Sequence, residues 1–508
     1  MKIDKSYDKN LHILCISTKD GRSIKLGFTN EIQHEYNIFS IIHSYAFPQT
    51  IISRFALKHK VEGQEDGWNL YDPHIECKRL GINVNSSSCN WKFLDNSNWE
   101  YCDTYPETII VPKALSKFQI RNCAGFRKKN RLPALVWSSP HKGTSLWRAS
   151  QPKAGIRTSR CLEDENYLRV IAEASPKEPL LYIFDARPYI NAQAQRVLGG
   201  GVENKFNYEL TELQHLSICN IHAVRESWQT LMVTGNSVPG SKYFSTVEKS
   251  SWIEYLATLL SGASSIVEGL MSGVNCLVHC SDGWDRTTQL CSIAEILLDS
   301  HYRTVRGFCQ LVEKEWVQFG HQFDVRLGNA NSNPNDENRS PIFLQFLDCV
   351  YQLTQQFPTH FEFNSQLLED ISYFAYSGRF GTFMCNSQKE RHNLNLQARS
   401  TSVWTHVLDN LDRYMSPYYQ VGQEDLITPC CSPKILTVWK EVFLKWSSEF
   451  YYSGGEFNSA DQHKEVLMKS ANEGMNLFKT IISQKEKEIQ NLKKQLDELQ
   501  GYEFPDNS

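Results

Sequence analysis

The sequence has no apolar run near the roughly 18–20 residues that a bilayer-crossing helix needs, so any membrane contact is expected to be peripheral. Its first residues, MKIDKSYDKN, hold no apolar core and are not read as a secretory signal. Positive charge is not in excess: 53 Lys and Arg stand against 57 Asp and Glu, a net charge of -4. That disfavours a nucleic-acid binder driven by electrostatics, and no nucleic-acid partner is expected. Paired metal ligands are lacking too. Of 15 cysteines, an odd number at irregular spacing, only Cys430/Cys431 and Cys276/Cys280 lie close together, and neither has a matching second pair. No metal and no cofactor is expected, and free thiols in a reducing, cytoplasmic compartment are. Low-complexity linkers are missing between 60 and 450, where Trp, Tyr and Phe are spread as in one large globular unit.

What is present suits a folded protein. Hydrophobic residues are 41% and charged residues 22% of 508, enough for a substantial core. Apolar runs at 11–17 (LHILCIS) and 23–28 (SIKLGF) flank Lys19-Asp20-Gly21-Arg22, whose Asp-Gly pair suits a tight turn. They predict a β-hairpin. Ile32, Phe39 and Ile42 follow at helical spacing. Two strands and one helix are too few for an independent domain, so they are expected to pack on the rest or to belong to a domain whose first half is missing. Strand-like runs at 180–184 (LLYIF) and 274–278 (VNCLV) alternate with helical patterns and predict a mixed α/β core. The stretch 328–340 (GNANSNPNDENRS) reads as a surface loop. From 474 to 500, Met475, Ile482, Ile489 and Leu496 recur every seventh residue, with Phe478, Leu492 and Leu499 on the other seam and Lys485 interrupting it. This predicts a coiled coil of about four heptads, with a solvated surface helix as the alternative.

The chemistry lies in Val274 to Thr287, VNCLVHCSDGWDRT. Cys, five residues, then Arg is a weak pattern alone. It also occurs from Cys219 to Arg225 and from Cys385 to Arg391, where no glycine intervenes and both cysteines read as small apolar residues. The third match sits between a buried-strand run and a helix face of Leu290, Ile293, Ala294, Leu297 and Leu298. A tight loop through Gly283 then joins strand to helix N-terminus. Its backbone N–H groups can turn inward onto phosphate oxygens, helped by the helix dipole and by a bidentate Arg286. The same field favours the Cys280 thiolate, a nucleophile that can attack phosphorus. Thr287 could hydrogen-bond the sulfur or simply begin the helix. His279 could orient the loop or merely pack at the strand end. Asp282 and Asp285 are costly beside a phosphate dianion unless one is protonated, which would supply a general acid; the alternative is that both bond backbone. Trp284 could wall the pocket or anchor the loop.

HCSDGWDRT as a whole resembles the signature of the myotubularin family, cysteine-dependent lipid phosphatases. Asp185-Ala186-Arg187-Pro188 with Asn191 and Gly199-Gly200-Gly201 resembles its DARP…N…GGG segment, and Asn220-Ile221-His222 with Arg225-Glu226-Ser227 its NIH..RES segment. Ser150-Gln151-Pro152, Lys314-Glu315-Trp316, Phe319-Gly320-His321 and Ser340-Pro341 also match, so the likeness covers roughly residues 65–450. Gly67-Trp68 and Thr104-Tyr105-Pro106 look most like the branch of myotubularin-related proteins 6, 7 and 8. The resemblance implies a cysteine phosphatase fold, a central mixed sheet flanked by helices, at 60–452. A partial PH-GRAM domain would occupy 1–47, the coil 474–500 and a tail 501–508. It implies hydrolysis of the 3-phosphate of phosphatidylinositol 3-phosphate and phosphatidylinositol 3,5-bisphosphate, on endosomal membranes. It implies Cys280, Arg286, Asp285 and Asp282 as catalytic residues, with the acid role matching Asp285. Head-group contacts carried over are Asn220, Ile221, Arg326, Gln195 and Gln322, with Ser281, Asp282, Gly283, Trp284, Asp285 and Arg286.

Two pocket positions depart from the family pattern: Gln195 stands where Asn is common, and Gln322 where a basic residue is usual. A neutral Gln322 removes one phosphate-pairing charge and predicts a weaker preference for the bisphosphate. The N-terminal segment is shorter than a PH-GRAM domain and would leave sheet edges unpaired. Other readings are a phosphotyrosine phosphatase, or an adaptor that dimerises through 474–500, as a homodimer or with a catalytically inactive relative.

Overall fold

A five-stranded mixed sheet carries the catalytic candidate at its centre. A computed structural model describes residues 2–445 apart from 9–10, 20–22, 30–31, 48–49, 238–239, 330–332, 334–335 and 424–425. Ten strands are described: β1 (Lys2–Asp8), β2 (Leu11–Ser17), β3 (Ser23–Thr29), β4 (Trp91–Asp95), β5 (Thr108–Pro112), β6 (Ala134–Ser138), β7 (Ser145–Ser150), β8 (Leu181–Asp185), β9 (Thr211–His215) and β10 (Asn275–Cys280). The large sheet runs β6-β7-β10-β8-β9. β10 is parallel to β7 and β8, β8 to β9, and only β6 is antiparallel. Every residue of β10 is buried, as expected of a strand covered on both faces. The runs expected at 180–184 and 274–278 are β8 and β10, each within two residues at its ends.

The helix Arg286–Leu298 follows β10 and packs on the helices Trp252–Met271 and Ile342–Gln356. The expected apolar face is buried, but so is every residue from Arg286 to Leu297. Its polar side chains therefore find partners inside the fold. Gln289 donates to the Ile342 carbonyl at 3.1 Å, Ser292 accepts from the Trp316 indole at 3.1 Å, and Glu295 takes Lys314.

The N-terminal segment is a three-stranded antiparallel sheet, β1-β2-β3, followed by the helix Ile32–Ala46. The expected hairpin is present, pairing Ser17 with Ser23. β1 was not foreseen. KIDKSYD offers little apolar signal and becomes a strand by pairing with β2. Leu14 and Ile16 of β2 are buried. Arg54, just beyond, grips Asp324 with two bonds of 2.8 and 2.9 Å. The stretch 328–340 is more than a surface loop. Asn338 accepts from Arg326 at 3.0 Å, and buried Ser340 donates to the Ile221 carbonyl at 2.7 Å.

The chain divides into a unit Met1–Leu444 and a second, Lys445–Ser508. The coiled coil expected at 474–500, the tail 501–508 and the end of the phosphatase domain at 452 lie outside the described residues. Among the described residues no helix is long and apolar enough to cross a membrane.

Candidate active site

β10 ends at Cys280 and the helix begins at Arg286, so the five residues between must turn within a few ångströms. Gly283 makes this possible. Its φ is +79°, and a Cβ there would lie 2.5 Å from the Ala149 carbonyl oxygen. Its N–H donates to the Cys280 sulfur at 3.2 Å. Its carbonyl faces the other way, accepting from Arg131 and Arg148, each at 2.8 Å. Two guanidiniums thus hold the Gly283 carbonyl while its N–H meets the sulfur.

Burial pushes the Cys280 thiol up. The Arg286 guanidinium, with Thr287 nearby, outweighs it, so the thiol lies below its ordinary value. Among the described cysteines with shifted thiols, only this one goes down. Burial pushes Cys385 up to about 12 and also raises Cys219, so neither of the other Cys-to-Arg matches is a poised nucleophile. Arg286 is buried, donating to the Ile218 carbonyl at 3.3 Å and to Ser281 Oγ at 3.5 Å.

The two loop carboxylates differ. Asp285 is buried and forked by Arg326, Nε to Oδ1 at 3.1 Å and Nη2 to Oδ2 at 2.7 Å, with His321 Nδ1 at 3.2 Å. Burial raises its carboxyl, but Arg326 and His321 prevail and hold it well below the usual carboxylate range. Without phosphate the Arg326 guanidinium thus favours the ionised form of Asp285, the opposite of the protonated acid expected in the loop. Asp282 is part-exposed and pairs with Lys128 at 3.1 Å. Neither carboxylate is confined to backbone bonds. Trp284 is half-buried, its carbonyl facing His321 Nδ1 at 2.9 Å and its ring 5.8 Å from the Arg131 guanidinium. His279 is buried at the strand end, with both ring nitrogens engaged. Nε2 meets Glu203 at 3.0 Å, and Nδ1 faces the Cys280 carbonyl at 3.3 Å.

The remaining expected contacts lie around the loop with other duties as well. Asn220 caps the helix Ile221–Ser237, accepting from His222 and Ala223 N–H at 3.1 and 3.0 Å. Ile221 lends its carbonyl to Ser340. Gln195 sits on the helix Tyr189–Val197 beside Gln151, 3.4 Å away. Gln322 donates to the Gly320 and Asn386 carbonyls at 3.1 and 3.2 Å, so its amide nitrogen is engaged by backbone.

Several residues of the site carry no local sequence signal. Arg131 binds Thr104, Gly283 and Phe319 carbonyls at once. Arg148 joins Gly283 to Glu315, which it meets at 2.6 Å. Below the strand, Glu203 bridges His279 and Arg127, and Arg127 continues to Asp164 at 2.7 Å. The motif segments meet here too. Arg187 forks Asp185 and reaches both Gln151 and the Gly201 carbonyl. DARP, SQP and GGG, distant in the chain, thus meet in space. Arrangement and electrostatics fit capture of a phosphate oxyanion beside a thiolate.

A family model described as the myotubularin-like phosphatase domain matches residues 51–392. The chain is 38% identical over 470 residues to phosphatidylinositol-3,5-bisphosphate 3-phosphatase MTMR2 of Pongo abelii, covering 92% of this chain and 72% of that protein. It is 37% identical to MTMR2 of Mus musculus over the same shares. It is 38% identical over 446 residues to the myotubularin of Xenopus laevis, covering 87% and 73%.

Proposed function

Since the chain belongs to the myotubularin-like phosphatase family, we propose that it is a phosphoinositide 3-phosphatase acting on phosphatidylinositol 3-phosphate and phosphatidylinositol 3,5-bisphosphate. The observation that carries the reading is the lowered Cys280 thiol at the base of a loop whose Gly283 carbonyl is pulled away from it.

In the proposed reaction the loop amides and Arg286 hold the 3-phosphate oxygens. The Cys280 sulfur attacks phosphorus, forming S–P as the bond from phosphorus to the inositol oxygen breaks. A proton reaches that oxygen from a loop carboxyl, giving a free hydroxyl. Water then cleaves S–P, releasing inorganic phosphate and the thiolate. For Asp285 to be the acid, the arriving dianion must draw Arg326 onto itself and raise the carboxyl by repulsion. Asp282, held by part-exposed Lys128, is the second candidate.

Cys280→Ser is the direct test. Phosphate release from short-chain phosphatidylinositol 3-phosphate should drop to background while binding persists; turnover by the serine variant would refute the nucleophile.

Finer parts belong to the same reading. Gly67-Trp68 and Thr104-Tyr105-Pro106 support the branch of myotubularin-related proteins 6, 7 and 8. The N-terminal sheet and helix are read as part of a PH-GRAM domain. The heptads at 474–500 are read as a dimerising coil, for a homodimer or an inactive relative. The setting is cytoplasmic and peripheral on endosomal membranes.

A further inference from the structure

The large sheet is open at one corner. β9 is an end strand: β8 lies on one side of it, and no described strand lies on the other. The Leu181 N–H donates to the Leu210 carbonyl and the Leu216 N–H to the Asp185 carbonyl, each at 2.9 Å. In the parallel register of β8 with β9, these bonds turn the even-numbered residues of 210–216 toward β8. The N–H and carbonyl groups of Thr211, Leu213 and His215 therefore face outward, with no backbone partner among the described residues. Such a row is a template for one more strand.

The adjoining face is open as well. The helix Trp252–Met271 comes so close to the sheet at Gly269 that a Cβ there would lie 2.9 Å from the Cys276 sulfur and 3.0 Å from the Tyr182 ring. β9 is left uncovered: Glu212 and Gln214 pair in register with Tyr182 and Phe184, share their face, and are exposed. A cleft of about 370 Å³ results, with Tyr182, Phe184, Glu212, Gln214 and Glu268 among its walls. Its only charged lining groups are Glu212 and Glu268, and neither has an ion-pair partner among the described residues. Burial, Glu212 and Glu178 together raise the Tyr182 phenol, so a third acid is close by. The lysines at the end of the helix, Lys142 on the Met271 carbonyl and Lys177 beside Gly273, do not line the cleft.

We propose that the open edge of β9 is a docking site for an extended segment of a partner protein, which adds as one more strand and carries lysine or arginine at alternate positions. Backbone pairing to Thr211, Leu213 and His215 supplies the affinity, and the acids of the cleft select the side chains. Every second residue of the guest falls on the cleft side, where Tyr182 and Phe184 receive its aliphatic stem and Glu212 and Glu268 its charge. Anionic lipid and nucleic acid are repelled by the same acids, and a second copy of this edge would bring like charges together.

Fluorescence anisotropy of the full chain with a labelled peptide of about six residues, alternating lysine and valine, tests this. That probe should bind at least about tenfold more tightly than one alternating glutamate and valine. Glu212→Lys/Glu268→Lys, at two exposed positions, should weaken the lysine probe at least about tenfold and strengthen the glutamate one. Leu213→Pro removes an outward N–H and no bond to β8, and should weaken the lysine probe too. If Leu213→Pro melts early, the charge-reversed pair still decides, because it leaves the ladder intact. No binding of the lysine probe, or equal binding by the wild type and the charge-reversed pair, would overturn the site. So would a folded Leu213→Pro chain that binds as the wild type does. Self-association lost in Leu213→Pro, with the peptide ignored, would give the edge to a second copy and overturn the proposal. Phosphate release should be unchanged in Glu212→Lys/Glu268→Lys, so failure here leaves the phosphatase reading where it stands.

Discussion

At the scale of single residues, the sulfur of Cys280 is governed by a few neighbours whose removal has a definite sign. Arg286 and Thr287 favour the thiolate, against burial. Thr287→Val removes the hydroxyl that favours the thiolate and should move the acid limb of kcat/KM upward, by up to about one pH unit if that hydroxyl donates to the sulfur in the working enzyme, since a hydrogen bond to a charged group contributes about 1.5 kcal/mol. The pH dependence of Cys280 alkylation by iodoacetamide should shift in step. Gln322 offers a second test. Its amide is spent on the Gly320 and Asn386 carbonyls rather than offered as a charge. Gln322→Arg should raise bisphosphate turnover relative to monophosphate by several-fold; an unchanged ratio would count against the weakened preference. The loop holding Cys280, Gly283 and Arg286 was legible because the three lie within seven residues bracketed by a strand and a helix. Their supports were not. Arg131 and Gly283 are 152 residues apart, and nothing near Arg131 in the chain announces the carbonyl it will hold.

At the scale of elements, β10 is kept in place by ionic groups as well as by its ladder. Glu203 joins His279 on the strand to Arg127, which ends the helix Lys117–Phe126. His279 is raised by Glu203 and Asp185 despite burial, and Glu203 is lowered by His279 and Arg127 despite burial. The raised imidazole contributes stability that is complete below its unfolded value of about 6.5 and is lost as pH rises through its folded value. The lowered carboxyl contributes above its unfolded value of about 4.3 and is lost as pH falls through its folded value. Glu203→Gln should cost about 3–5 kcal/mol by taking the nearest carboxylate from buried His279, while Arg127 keeps Asp164, and should flatten this dependence, as urea unfolding at several pH values would register. The central strands were legible from their apolar runs. β1 was not, because its polar residues are strand-forming only beside β2. The helix Arg286–Leu298 was read as one-faced because its buried polar residues find partners on distant elements, where sequence shows only polarity.

At the scale of the whole molecule, the first unit ends at Leu444 and the heptads begin beyond it. Deleting 470–508 should leave a monomer by light scattering with turnover of a soluble substrate retained; unchanged mass would contradict the dimerising coil. Mixed α/β architecture was legible early, whereas the antiparallel edge strand β6 and the pairing of β4 with β5 were not, since they depend on which distant segments meet. The grip of Arg131 on three carbonyls from separate stretches of chain has a further consequence. Fraying that frees Gly283 from Arg131 also disturbs the anchor that Thr104 and Phe319 share. Catalytic competence and global integrity are thereby yoked, and heat inactivation becomes a faithful gauge of denaturation.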